Sequence, residues 1–411
     1  MNSNLVNKLA VVISWPREID MLLPLIHHIP KTKFLIIIND FKSFETGRTE
    51  SSKLILKYIK DKRLPYELFS NILKKKKFKI LLSTGEICGK KITVYSFFRF
   101  FYAISLGFLI DKIKLSVLFN KIFNNSLTAE GLNCRIGLPW YPEKQIGQIV
   151  VKFPDGADIK KKNYPYNFLK DVFDIFLTYT DSEIEMIKKK FKSKICKKID
   201  YLRYKKLSSK EDAFKSFKKN QLFKKEKKNL YWLPTHIDSY GEKNLNIQIW
   251  SDKISKLQKN FNLIVKPHPK TLLNDMSIIK FLEKKNFIVD SDHNRKIGNL
   301  IKNSDIVLCD YGGPVFSTLY LNKPLILLNL PRDAKYNLGL KKIDSLDIKI
   351  RKEIISLDYN CSEKKFLNST EKSFTLKYKK KIKIIKDEYF GSTKPYSAKK
   401  LSNFLLKLLN K

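Results

Sequence analysis

The sequence predicts an α/β protein made of two doubly wound parallel-sheet domains facing a cleft. Three observations lead there. Short apolar runs ending in polar or turn residues alternate with stretches of helical length. This alternation runs twice, once on each side of a Lys-rich polar stretch. The chain, at 411 residues, is long enough for two domains with real cores.

The first half opens with the strand pattern "KLAVVIS", followed by a helical pattern from Glu18. Then come the strand "KFLIIIND", a helix near residues 50–60 and the strand "KFKILLSTG". "IGQIVVKFPDG" and "VFDIFLTYTD" repeat the strand with a polar end. Strand–helix–strand order of this kind implies a parallel sheet covered on both faces. The second half supplies "NLYWLPTHID", "FNLIVKPHP", "NFIVDSD", "SDIVLCDYGG" and "KPLILLNLP", and "SAKKLSNFLLKLLNK" reads as an amphipathic terminal helix. The predicted organisation is an N-terminal domain over residues 1–205, a Lys-rich linker over 206–229, a C-terminal domain over 230–385 and a terminal helix over 386–411.

Hydrophobic residues make up 43% of the chain and aromatic residues 12%, which excludes a disordered polymer. Lys and Arg number 81 against 40 Asp and Glu, a net charge of +41. Much of that excess reflects a Lys-rich composition in which Asn and Ile are also frequent. The field still favours anionic partners over cationic ones. No RNA- or DNA-binding module is visible, so no nucleic-acid partner is expected. Cys88, Cys134, Cys196, Cys309 and Cys361 show no paired CxxC spacing, so neither a zinc site nor a disulfide framework is expected, and a reducing cytoplasm fits. The N-terminus reads as a first strand, not a signal peptide. Residues 94–110, "VYSFFRFFYAISLGFLI", are shorter than the ~20 needed to span a bilayer and Arg99 interrupts them. They read as a buried helix, with a helix lying on anionic lipid as the alternative.

In open α/β sheets ligands sit beyond the carboxyl ends of the strands, so the polar strand ends are where chemistry belongs. After "SDIVLC", Asp310, Tyr311, Gly312 and Gly313 form a turn, and Pro314 falls at a favoured first helical position. Such a turn either cradles a phosphate on free helix N–H groups or merely satisfies backbone geometry. Ser317 and Thr318, in the first turns of that helix, are candidate hydroxyl donors to the same phosphate. In "VKPHP", Lys266, Pro267, His268 and Pro269 end another strand, and the two prolines restrict the direction of the imidazole. An imidazole there donates to a phosphate and, when protonated, stabilises the charge of a departing nucleotide. Pro234, Thr235 and His236 end the first strand of the second half, reaching the cleft or capping the next helix. In the first half, Pro154, Asp155 and Gly156 read either as a general base positioned for an acceptor hydroxyl or as a plain turn. "VDSDH", residues 289–293, holds the one Asp-x-Asp at a strand end; it reads as a turn, and no metal site is expected.

Taken in order, Pro-Asp-Gly, Pro-Thr, His-Pro, Asp-Tyr-Gly-Gly and Lys-Pro make the chain resemble the CDP-glycerol glycerophosphotransferase family of teichoic-acid and capsule enzymes over roughly residues 145–330. That family is similar to GT-B glycosyltransferases, two Rossmann-like domains about a cleft. The chain departs from the pattern in three places. Pro154-Asp155-Gly156 stands where the family has Trp-His-Gly, so the resemblance puts Asp155 in the base position. Gly312 and Gly313 replace two serines, and Ser317 stands where an acidic residue is usual. An acidic-Gly motif followed by His-Pro and a Ser/Thr pair also resembles bacterial sialyl- and polysialyltransferases, which use a CMP-sugar. Both resemblances imply a cytidine leaving group and require no metal.

The expected protein is therefore a metal-independent GT-B-like transferase of surface-polysaccharide or teichoic-acid-like polymer synthesis. No tightly bound cofactor is expected; a cytidine-activated donor is the substrate, and an anionic glycan or lipid-linked hydroxyl is the acceptor. Asp155 and His268 are the expected catalytic residues. Gly156, Thr235, His236, Lys266, Pro269, Tyr311, Gly312, Gly313, Ser317 and Thr318 are the expected donor-binding residues. The expected location is the cytoplasm, peripheral to the inner membrane face. A UDP-sugar transferase or epimerase and an inactive glycan- or membrane-binding module are the alternative functions.

Overall fold

The computed structural model describes residues 4–40, 48–72, 76–84, 142–154, 156, 167–205, 207–236, 238–239, 242–243, 245–292, 295–331 and 350–411. Asp155 and residues 94–110 lie outside the described residues. The first sheet has seven parallel strands: β1 (Asn4–Ile13), β2 (Phe34–Ile38), β3 (Tyr66–Leu68), β4 (Lys76–Ser83), β5 (Gly147–Lys152), β6 (Ile175–Thr178) and β7 (Ile195–Lys198). Their spatial order is β3-β2-β1-β4-β5-β6-β7. A two-stranded antiparallel ribbon, β9 (Asp238–Ser239) with β10 (Glu242–Lys243), follows β8 (Lys228–Leu233). The second sheet continues with β11 (Phe261–Val265), β12 (Ile288–Val289), β13 (Ile306–Cys309), β14 (Leu325–Leu328) and β15 (Ser356–Leu357). Its six parallel strands run in the order β12-β11-β8-β13-β14-β15.

Both orders reverse direction once, at β1/β4 and at β8/β13. These are the topological switch points where the connections before and after leave opposite faces and open a crevice. The central strands are apolar on both sides: every residue of β2, β11, β13 and β14 is buried, as fits a sheet covered by helices on both faces. Helix Gly313–Tyr320 follows β13, with Gly312 as its N-cap at φ 86° and Pro314 within its first two positions. A glycine is needed there because side-chain-bearing residues rarely adopt that φ.

The stretch around residues 206–229 is more anchored than its Lys content suggests. Helix Lys210–Phe214 forms within it, Phe214 and Phe217 are buried, and Arg295 lies over the Phe217 ring at 4.5 Å. Helix Leu376–Phe390 packs on helix Gly313–Tyr320 of the second domain. The chain then crosses back, and helix Ala398–Asn410 packs on β1, β4 and the helix Pro16–Ile26. Leu401, Leu405 and Leu409 are fully buried by that docking, at about 1.5–3 kcal/mol each.

An aromatic joint unites the domains. Tyr201 lies 4.3 Å from Tyr179 and 5.3 Å from Tyr320, ring centre to ring centre, and Tyr320 is 5.3 Å from Phe390. The Tyr204 hydroxyl donates to Ser317 Oγ at 2.8 Å. Lys296, where the chain returns from β12, pairs with Asp20 in the second turn of the helix after β1 at 3.0 Å. That pair brings the carboxyl edges of the two sheets toward one another. Among the described residues no helix is long and apolar enough to cross a membrane.

Candidate active site

The second sheet positions the site. Because β11, β8 and β13 are neighbours in parallel, their carboxyl ends bring Lys266–Pro269, Pro234–His236 and Asp310–Gly313 to one edge at the switch point. The His236 and His268 rings stack 5.7 Å apart at an interplanar angle of 27°. His236 Nδ1 is 3.0 Å from Thr271 Oγ1. The backbone carbonyl of His268 accepts from Thr271 N at 2.9 Å and Leu272 N at 3.2 Å, so the residue starts helix Pro269–Asn274 while its half-buried ring faces His236. Pro267 is buried and Pro269 exposed, which fixes the chain on either side of that imidazole.

Asp310 is 0% exposed. Its Oδ2 accepts from Thr235 N at 3.0 Å and from Asn246 Nδ2 at 2.6 Å, which ties the ends of β13 and β8 together across the switch point. Burial pushes the Asp310 carboxyl up to about 6, with Asn246, the Thr235 N–H and the Arg351 guanidinium pulling the other way. Gly312 and Gly313 are half-buried beside this turn and present the start of helix Gly313–Tyr320 to the edge. Among the described residues, a Cβ at Gly313 would meet nothing within 4 Å.

Several predicted donor-binding side chains are engaged elsewhere. Ser317 Oγ donates back to Gly313 O at 3.0 Å and accepts from Tyr204, and Thr318 Oγ1 donates to Pro314 O at 2.8 Å. Both are buried, one in the domain joint and one in the core. Lys266 Nζ reaches Asp290 Oδ2 at 3.1 Å and the Asp292 carbonyl at 2.6 Å. Arg295 Nε holds the other Asp290 oxygen at 2.9 Å, so the Asp290 carboxylate anchors two cations. Tyr311 is buried with the Arg351 guanidinium 3.9 Å above its ring. Arg351 and Asn246 carried no sequence signal as site residues. Arg351 arrives from beyond β14, where its Nη1 donates to Asn329 Oδ1 at 2.7 Å.

The first sheet has a matching feature. Glu18 is 0% exposed; its Oε2 accepts from Ser14 N at 2.6 Å and its Oε1 from Thr84 Oγ1 at 2.7 Å. A buried carboxylate thus bridges β1 and β4 as Asp310 bridges β13 and β8. Lys152 Nζ, ending β5, donates to Thr84 O at 2.8 Å. Phe153 N donates to Ser83 O at 2.8 Å, so the chain leaves the first sheet through the buried Pro154 at this same edge.

Two separate Rossmann-like sheets, linked by an aromatic joint and crossed by C-terminal helices, are the architecture of the GT-B class. Residues 160–337 match the model of the family CDP-Glycerol:Poly(glycerophosphate) glycerophosphotransferase, which falls on the glycerophosphotransferase side of the two resemblances. The fold is similar to that of the wall teichoic acid polymerase TagF. One TagF structure, soaked with CDPG, aligns at TM-score 0.53 and 12% identity over 99% of this chain and 88% of that one. Another aligns at TM-score 0.57 and 10% identity over 99% and 90%. A UDP-N-acetylglucosamine 2-epimerase aligns at TM-score 0.50 and 11% identity over 99% and 96%. At such identities these likenesses establish the fold alone. No curated protein matches the sequence. The architecture is GT-B-like, and the family match over residues 160–337 supports a transferase.

Proposed function

We propose that the protein transfers a glycerophosphate or sugar unit from a cytidine-activated donor to an acceptor hydroxyl in the synthesis of a teichoic-acid-like polymer. The observation that carries this reading is the stacked His236–His268 pair at the switch point, next to the Gly312–Gly313 turn. Two stacked imidazoles and the N-terminus of helix Gly313–Tyr320 lie at this one sheet edge, which suits a phosphate with a developing charge. For a CDP-linked donor the chemistry balances simply. The acceptor oxygen forms a new bond to the transferred phosphorus, the bond to CMP breaks, and Asp155 takes the hydroxyl proton. His268 donates a hydrogen bond or proton to the departing CMP phosphate. Asp155 holds its role by sequence position.

Titrating the protein with CDP, CMP and UDP tests the donor. Tightest binding of a cytidine nucleotide supports the reading. Preference for UDP would replace it with a UDP-sugar activity, and no nucleotide binding at all would leave the glycan- or membrane-binding alternative.

The acceptor side of the proposal places the protein in the cytoplasm against an anionic polymer or the inner membrane face. Helix Leu376–Phe390 carries exposed Lys377, Lys379, Lys380, Lys381 and Lys383, with Leu376 67% and Ile384 56% exposed among them. Cationic residues around exposed apolar ones suit an anionic lipid interface. Co-sedimentation with phosphatidylglycerol vesicles should exceed that with phosphatidylcholine and fall when Leu376 and Ile384 are both replaced by Ser. Equal binding to both vesicle types would remove the membrane from this picture.

A further inference from the structure

We propose that Asp310 and Asn246 are positioning residues that hold the Pro234–Thr235–His236 turn so that the His236 imidazole stays against His268. The inference rests on the reading of that pair as part of the donor site. Between them the two side chains grip Thr235 at both ends of its backbone. Asp310 Oδ2 takes the Thr235 N–H at 3.0 Å, while Asn246 Nδ2 donates to the Thr235 carbonyl at 2.8 Å. The same Asn246 Nδ2 lies 2.6 Å from Asp310 Oδ2, so one closed network joins β13, β8 and the first turn of helix Leu245–Ser255. Thr235 immediately precedes His236, so fixing its peptide groups fixes where the imidazole leaves the chain.

The burial of this network argues for more than support of the fold. Asp310 is 0% and Asn246 1% exposed. Asn246 Oδ1 is buried and, among the described residues, has no hydrogen-bond donor, while the second oxygen of Asp310 is buried with the Trp232 side chain bearing on the carboxylate. An unsatisfied buried acceptor costs about 1–3 kcal/mol, so an apolar pair would serve stability better. A charge-assisted acceptor aimed at a backbone N–H gives a stiffer, more directional hold than apolar contact. The charged and titratable groups facing the carboxylate are Arg351, arriving beyond β14, and the Cys309 thiol of β13, which burial pushes far up and keeps neutral. The clamp therefore has one ionised acceptor, and it weakens as that carboxylate takes a proton on the acid side of neutrality.

The chain has five histidines, so each imidazole can be followed by its own carbon–proton NMR signals. The test records these signals, the melting temperature and CDP affinity for wild type, Asp310→Asn, Asp310→Ala and Asn246→Ala. Asp310→Ala and Asn246→Ala should move the His236 and His268 signals while leaving those of His27 and His28 in place. They should also weaken CDP binding about tenfold, ~1.4 kcal/mol. Asp310→Asn keeps an acceptor for both donors without the charge. It should restore most of the affinity and remove the part of the His236 pH response that follows Asp310. Unmoved His236 and His268 signals in Asn246→Ala and Asp310→Ala, alongside a lowered melting temperature, would overturn the inference and leave the network a fold support. If wild type fails to bind CDP, the donor assignment fails instead, and the histidine signals still decide the clamp.

Discussion

Replacing His268 by alanine is expected to slow transfer by roughly 10²–10³-fold, the usual cost of losing one donor aimed at developing charge. The backbone reason for expecting a folded variant is specific. The His268 contribution to helix Pro269–Asn274 is its carbonyl, which accepts from Thr271 and Leu272 and survives in alanine. Pro267 and Pro269 continue to hold the chain direction. What disappears is the ring stacked at 5.7 Å on His236 and its hydrogen-bonding edge. Single-turnover measurement with a cytidine-activated donor should show the loss chiefly in the chemical step. A near-normal melting temperature should accompany it. Full activity in His268→Ala would remove the imidazole from the mechanism, and full activity in Asp155→Ala would likewise remove the proposed base.

Gly391→Ala is expected to cost about 3–5 kcal/mol of stability, the larger effect on the fold. Gly391 ends helix Leu376–Phe390 at φ 75° and ψ 171°, a conformation nearly closed to residues with a side chain. A Cβ there would lie 2.1 Å from Asp181 Oδ2, so the carboxylate must move. That carboxylate holds the crossover between domains: it accepts from Thr393 N at 3.0 Å and pairs with Lys198, whose side chain is only 5% exposed, at 3.2 Å. Lys198 in turn donates to Gly391 O at 3.1 Å. Displacing Asp181 leaves a nearly buried ammonium poorly paired. Thermal unfolding should show the drop, and the C-terminal helix should become accessible to protease first. An unchanged melting temperature would show that the crossover is not held in this way.

The same joint carries a pH signature. Partial burial of Asp181 pushes its carboxyl up, but the Thr393 N–H and Lys198 outweigh that and hold it below the ordinary carboxylate range. A folded-state value below the unfolded one means the contribution is complete above about pH 4, and is lost as pH falls through the lower folded value. Asp310 has the opposite sign. Its value of about 6 lies above the unfolded one, so ionising it costs stability as pH rises through that window. The buried charge is tolerated where it grips Thr235.

The strands that the sequence revealed are the central ones. Runs such as "FLIII" and "FNLIV" are apolar throughout because both faces of their sheets are covered. The strands it concealed are β3, β7 and β15, all at sheet edges. "YEL" is only half-buried and "ICKK" carries two lysines, since an edge strand meets solvent and needs no apolar run. The site followed the same division. His268 and His236 were legible because parallel topology sends every strand end to one edge. Ser317 and Thr318 share the first turns of the helix that follows Gly312, yet their hydroxyls bond back to Gly313 and Pro314. Side chains of Ser and Thr inside a helix commonly satisfy themselves this way. Lys266 sits beside His268 in sequence, but its ammonium is drawn to Asp290, 24 positions on.

By itself the sequence determined the class of fold, the two sheets and the edge at which chemistry is to be sought. Hydrophobic periodicity and turn residues are local, and they report burial and chain direction without reference to distant partners. Only the tertiary structure decided which side chains at that edge are open to a ligand and which are spent on the fold. Asn246 and Arg351 enter the site from 64 positions before and 41 positions after Asp310. Ser317 is turned away because Tyr204 of the other domain meets it. Those assignments depend on which groups become neighbours after the sheets close, and the energy of a hydrogen bond or a buried charge exists only once its partner is in place.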